Sequence, residues 1–405
     1  MTRKATPQAA TLAAADQLRG ASKGIIDAVA AITNIVEQMH RTILGLTPIV
    51  GKAPTDRTGG IPGFVYSSVR GVTNVVGAGL DVALNQLTPF LKSQKEFPQH
   101  EAMTAALNGV FGDYLAATNN PLAISMQLRQ QGRALSSKKA SPPKGGLHRN
   151  GRLVVLVHGL CMNDLQWNHE LSDHSASHDH GAALARDLGY TAIYLHYNSG
   201  RHIATNGEEF ADVLEGLIQQ WPVPITELVI IGHSMGGLVA RSACVHAKVA
   251  KHIWLKRLKK LIFLGTPHHG APLERAGNWL DILLDISPYS APFSKLGKVR
   301  SDGIKDLRHG NIFDAETLAT APSQTLPKGV KCFAIAATKQ TKIGAGKRLP
   351  GDGLVPVNSA LGVHKDAALS LSIPQSRQHI CYGLDHFDLL SSGDVYDQIY
   401  KWIDK

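Results

Sequence analysis

Ser234 stands in Gly232-His-Ser-Met-Gly236, and Gly237 follows directly. A serine hydroxyl in this setting is suited to one chemistry above others, attack on a carbonyl carbon. The run Leu228-Val-Ile-Ile231 before it reads as a buried strand, and Leu238-Val-Ala-Arg241 after it as the opening of a helix. A turn between strand and helix forces the nucleophile into a strained conformation and exposes its Oγ. Glycines on either side let other backbone approach closely. The helix start adds N–H groups and a positive dipole end where an oxyanion would develop.

Such a serine needs two oxyanion donors, a base and an acid to orient the base. One donor is expected to be the N–H of Met235, the residue after the nucleophile. The other is expected from the loop His158-Gly-Leu160, with Leu160 first and Cys161 second. His158 itself precedes the nucleophile and is read as shaping that loop. In a fold with a strand–turn–helix serine, the acid and then the histidine follow in the chain. His386, in Gly383-Leu-Asp-His-Phe387, precedes the terminal helix Asp394–Ile403 and is the expected base. Asp352, in Gly351-Asp-Gly-Leu-Val-Pro356, is the expected acid. Asp385 and Asp388 are its rivals, but each lies close to His386 in the chain.

These residues require a scaffold, and the second half of the chain reads as one. Apolar runs at Leu153–Val157, Thr191–Leu195, Leu228–Ile231, Leu261–Leu264 and Lys331–Ala336 have the texture of strands buried on both faces. Helical segments, Glu208–Gln219 and Met235 to about His246, lie between them. Alternation of this kind predicts a mainly parallel sheet with right-handed crossovers. The reactive groups all fall at the carboxyl ends of its strands, where such sheets carry their chemistry.

The segments VLVHGL, GHSMGG, FLGTPHHGAPLER, GDGLVPV and DHFDL, in this order, resemble the lipase branch of the α/β-hydrolases. The likeness covers roughly residues 152–405. It is greatest to the serine esterases and lipases related to GPI inositol-deacylase-like hydrolases, which Tyr197-Asn-Ser-Gly-Arg-His202 also matches. The resemblance implies a carboxylic-ester hydrolase with Ser234, Asp352 and His386 as its triad. It implies Leu160 and Met235 as oxyanion donors, and no cofactor. Some lipases of this pattern bind calcium through an aspartate placed like Asp388, but a second aspartate for that site has no counterpart here. His268 and His269, in Gly265-Thr-Pro-His-His-Gly270, are read as structural. The cluster His169, His174, His178 and His180 sits in loop-like sequence with no register to fix four rings, so no metal is expected.

The rest of the chain divides around these motifs. Residues 136–151 have linker composition. Residues 1–135 read as a helical N-terminal extension, with apolar stripes from Ile25 to Ile43 and from Met103 to Leu115 and a Gly-dotted stretch from Val72 to Leu87. Residues 152–405 are the expected catalytic domain. Within it, residues 271–325 form an apolar insertion read as a cap over an acyl chain. Four separated cysteines in 405 residues make no disulfide framework, which points to a reduced, cytoplasmic setting. The net charge of +10 is uneven: residues 1–150 hold 16 basic and 8 acidic residues, hence +8, and the remainder +2. Two readings of that excess stand, a solvated basic surface and peripheral attraction to a membrane. No nucleic-acid-binding pattern is present. The expected function is a serine carboxylic-ester hydrolase acting on an acyl ester or lipid. The alternatives are a thioesterase or amidase with the same triad, and a non-catalytic membrane-associated scaffold.

Overall fold

The computed structural model describes residues 98–135, 150–168, 178–270, 301–313, 326–341 and 350–405. The stripes from Ile25 to Ile43 and from Val72 to Leu87, the linker and most of the apolar insertion lie outside them. The described residues divide between two units, Pro98–Thr104, the start of a helix, falling in the first and those from Ala105 onward in the second. The second unit holds the sheet.

Helix α1 is Pro98–Ala117, and two short strands follow, β1 (Gln127–Gln130) and β2 (Arg133–Ala134). The scaffold continues with β3 (Arg152–Val157), α2 (His180–Leu188), β4 (Thr191–His196), α3 (Ile203–Gln220), β5 (Glu227–His233), α4 (Met235–Ala250) and β6 (Leu258–Leu264). It ends with α5 (Asp302–His309), β7 (Lys331–Thr338), β8 (Gln378–Tyr382) and α6 (Gly393–Ile403). The strands form one eight-stranded sheet in the order β2-β1-β4-β3-β5-β6-β7-β8. From β4 to β8 every pair is parallel, whereas β1 runs antiparallel to both β4 and β2.

The central strands are apolar without alternation because both faces are covered. Val154 and Leu156 of β3 join a core with Leu184 of α2 and with Val395, Ile399 and Trp402 of α6. Leu153, Val155 and Val157, equally buried, point to the other face, where α4 lies against β3 and β5. Each fully buried Leu, Ile or Val contributes about 1.5–3 kcal/mol, so the sheet's rigidity is set by this double layer.

One expectation differs. The segment read as helical through residue 135 ends in β1 and β2, which extend the sheet. These strands are short and polar, as edge strands are, and carry no strong period. Arg129 of β1 is held by burial: its Nη1 lies 3.1 Å from Asp164 Oδ1, and His196 Nδ1 approaches the same oxygen at 3.0 Å. β8 was equally silent, since Gln378 and His379 mask its strand character.

Candidate active site

The backbone at Ser234 is in a sparsely populated region, φ 53° and ψ −126°, between the end of β5 and the start of α4. A non-glycine residue held there costs on the order of 1–3 kcal/mol, so the surroundings must impose it. They do so through close backbone packing. A Cβ on Gly236 would strike the carbonyl oxygen of Val157, one on Gly232 would strike Gly237 and Gly236, and one on Gly237 would strike Thr266 Oγ1. Ser234 N–H donates to Leu264 O at 2.9 Å, which ties the turn to the end of β6.

His386 lies after β8, with its Nδ1 2.7 Å from Asp352 Oδ2. Both side chains are almost wholly buried, at 2% and 1% exposure. The other carboxylate oxygen, Oδ1, accepts the N–H groups of Leu354 at 2.9 Å and Val355 at 2.7 Å. The hairpin-like loop that does this requires φ of +102° at Gly351 and +104° at Gly353, which is why Asp352 sits between glycines. Asp385 and Asp388 are used differently. Asp385 Oδ1 accepts from the N–H groups of Phe387 and Asp388, and Asp388 Oδ2 from that of Asp385. They shape the turn around His386 and leave its Nδ1 to Asp352.

The structure brings these parts together at one end of the sheet. A Cβ on Gly159 would lie 3.0 Å from Ser234 Cβ, so the loop after β3 passes beside the serine. A Cβ on Gly265 would lie 3.1 Å from the His386 ring. His386 Nε2 is buried and has no hydrogen-bond partner among the described residues. His233 Nε2 donates to the carbonyl oxygen of His386 at 3.0 Å, with the two rings 4.7 Å apart. The residue before the serine thus anchors the loop of the histidine.

Residues 148–328 match the family model described as a PGAP1-like alpha/beta domain. The chain carries an α/β-hydrolase fold.

Solved structures similar to this chain include the mature lipase BlEst2 of Bacillus licheniformis, 20% identical over 62% of this chain and 91% of that one, with a TM-score of 0.40. An esterase of Pyrococcus furiosus is 13% identical over 63% of this chain and 82% of that one, with a TM-score of 0.38. No curated protein matches the sequence.

The loop after β3 is braced from below by residues that motif reading passed over. Tyr197 OH donates to His158 O at 2.8 Å and its ring stacks on the imidazole at 4.3 Å. Ser199 Oγ accepts the N–H of Cys161 at 3.1 Å. The Cys161 N–H, the second choice as an oxyanion donor, is therefore occupied within the fold. Cys161 also has a positive φ of 59°, and its Sγ packs where α1 has only Gly109. Asn198 Nδ2 donates to Gly112 O at 2.9 Å, which fixes the Tyr197–His202 stretch against α1. The signal for these residues was the Tyr197–His202 likeness, which carries no role for individual side chains.

Three other buried histidines, His158, His180 and His268, are held neutral by burial. His158 is pushed down to about 3, and His180, whose Nε2 donates to Leu389 O at 2.9 Å, likewise to about 3. His268 is driven well below its ordinary value by burial and by the Arg241 guanidinium, whose Nη1 lies 3.2 Å from its Nδ1. The thiols of Cys161, Cys332 and Cys381 are each pushed up to about 12 by burial, which leaves them poor nucleophiles. His169 and His174 lie outside the described residues. Among the described residues no group of three or more His, Cys, Asp or Glu side chains is arranged to hold a metal, and no helix is long and apolar enough to cross a membrane.

Proposed function

We propose that this hydrolase cleaves carboxylic esters of acyl or lipid substrates through an acyl-enzyme on Ser234. His386 Nε2 takes the proton of the Ser234 hydroxyl as Oγ attacks the ester carbonyl carbon. The N–H groups of Leu160 and Met235 hold the oxyanion, and Asp352 holds the imidazole in the tautomer with its proton on Nδ1. The tetrahedral intermediate collapses, the ester C–O bond breaks, and the departing alkoxide takes the proton from His386. Water, deprotonated by the same Nε2, then releases the acid and restores Ser234. The N-terminal charge excess adds peripheral attraction to a membrane surface.

The observation that supports this reading most is the buried Asp352–His386 pair at the same sheet end as a serine with positive φ. A serine in an ordinary helix-start turn needs neither the strain nor an adjacent oriented imidazole. The test is hydrolysis of p-nitrophenyl esters of rising acyl length by the full chain and by Ser234→Ala. The expected loss is on the order of 10³–10⁶ in kcat, because such residues act as a unit. A folded Ser234→Ala variant that keeps more than about a tenth of the activity overturns the assignment. The chain-length profile, with a matching thioester and anilide, assigns the leaving group.

A further inference from the structure

The amino ends of the strands carry a charged feature, at the opposite end of the sheet from Ser234. β5 has seven residues, so this rim lies roughly 20 Å from the serine at ~3.3 Å per residue. A cavity of about 430 Å³ opens there. Its lining includes four cations, Arg152, Lys259, Lys260 and Lys331, and the single carboxylate of Glu227.

Register makes this arrangement unfavourable by itself. Across β3 and β5, Arg152 stands opposite Glu227, a matched pair. Across β6 and β7, however, Lys260 stands directly opposite Lys331. Like charges in that relation repel. The ladder is also irregular at this point. Leu228 pairs with Leu258, but the next residue, Val229, pairs with Lys260, so Lys259 is the extra residue of a bulge. Bulges re-aim a side chain, and this one puts two consecutive lysines on the same rim.

The one carboxylate is shared. Arg152 Nε lies 3.4 Å from Glu227 Oε2, and Lys260 Nζ lies 3.4 Å from Oε1. Lys260 is 7% exposed, and its Nζ also donates to Ile403 O at 2.8 Å, which fixes the ammonium at the cavity wall. Arg152 is fixed in turn over the Tyr190 ring, 4.3 Å from its centroid. Among the described residues no carboxylate pairs with Lys259 or Lys331. Two cations are thus held in place, two stand exposed beside them, and one negative charge faces all four.

We propose that this cavity is an anion site that takes a phosphate group, carried by a soluble phosphate ester or by a lipid headgroup. Ammonium groups suit phosphate as point charges, and the guanidinium offers it a fork of donors. A bound phosphate would screen the Lys260–Lys331 repulsion and stabilise the fold by linkage. The site is independent of the reaction at the other end of the sheet.

The test uses the full chain with inorganic pyrophosphate as probe. Thermal midpoint and calorimetric binding are read at ionic strength held constant with sodium chloride. Pelleting with phosphatidylcholine vesicles, with and without phosphatidylinositol 4-phosphate, is read alongside. The key variant is Lys259→Gln/Lys331→Gln, both exposed positions, with its fold checked by circular dichroism. The site predicts a midpoint that rises with pyrophosphate in wild type and equally in Ser234→Ala. It predicts affinity about tenfold or more weaker in the double variant. Pelleting that needs the phosphoinositide and is lost in the double variant identifies a lipid headgroup, and pyrophosphate binding without pelleting identifies a soluble ester. Equal pyrophosphate affinity in the folded double variant overturns the proposal, as does a midpoint that moves no more with pyrophosphate than with sodium chloride.

Discussion

The loops that leave β6 and β8 each bury a histidine at the carboxyl end of the sheet, and the two are chemically opposite. His268, after β6, faces the Arg241 guanidinium and lies nearly perpendicular to the Phe263 ring. His386, after β8, faces the Asp352 carboxylate. A cation beside a buried imidazole opposes its protonation, and Arg241 together with burial drives His268 well below its ordinary value. A carboxylate beside one stabilises the imidazolium that proton transfer creates. Residue type and burial are thus shared, and the partner decides which ring is able to work as a base. In the sequence the two differ in chain order, since His268 precedes Asp352 and His386 follows it.

The largest effect is expected where the partner itself is changed. In Asp352→Asn the backbone N–H groups of Leu354 and Val355 keep demanding an oxygen at the Oδ1 position. The amide nitrogen must then face His386 Nδ1, which forces the imidazole into the wrong tautomer. The expected loss is up to ~10⁴ in kcat with the fold retained. Near-normal turnover in this variant, with Asp388→Asn or Asp385→Asn inactive instead, would move the acid to the turn around His386.

His268→Gln sharpens the other side of the comparison. Glutamine offers an oxygen to Arg241, so turnover is expected to stay within about tenfold of wild type, a change of ~1.4 kcal/mol or less. Stability against acid is where this residue acts. His268, His158 and His180 bind a proton in the unfolded chain below its pKa of ~6.5 but resist it when folded. Stability is therefore full above that value and falls as the pH drops below it. Each such group adds up to ~1.4 kcal/mol per pH unit to the slope. Removal of His268 is expected to take away about a third of the part due to these three. Unfolding midpoints in urea from neutral to acidic pH check this, and an unchanged slope would mean that His268 does not stay neutral in the fold.

A smaller effect is expected beneath the oxyanion loop. Ser199→Ala removes the acceptor of the Cys161 N–H, a neutral hydrogen bond worth ~0.5–1.5 kcal/mol. The expected result is a loss of roughly 2–10-fold in kcat with little change in KM, because the loop, and not substrate binding, is loosened. A rise in KM alone would place Ser199 at the substrate instead.

The legible parts of this molecule share a property: their constraint is local. Gly232, Gly236 and Gly237 meet atoms at one tight turn, and Gly351 and Gly353 carry positive φ in one short loop, so residue type reports geometry there. The parallel core is legible because strands buried on both faces must be continuously apolar. The rest depends on register and docking between distant segments. Nothing in QLRQ announces that β1 pairs with β4, and nothing near Lys260 announces that Lys331 lies opposite. His233 stands one residue before the serine, and only the loop after β8 brings the carbonyl of His386 to its ring. Ser199 supports a loop 38 residues earlier in the chain. Even the helical reading of residues 1–135 failed at its edge for this reason, since two short polar strands gain their identity only from a neighbour.

The central claim is that Ser234 is the nucleophile and that Asp352–His386 activates it. Stoichiometric labelling with a fluorophosphonate, followed by peptide mapping, tests this most directly because it needs no knowledge of the natural substrate. The account predicts one label per chain, on Ser234, formed slowly in Asp352→Asn and not at all in Ser234→Ala. A folded protein that takes no label, or takes it on another residue, would contradict it.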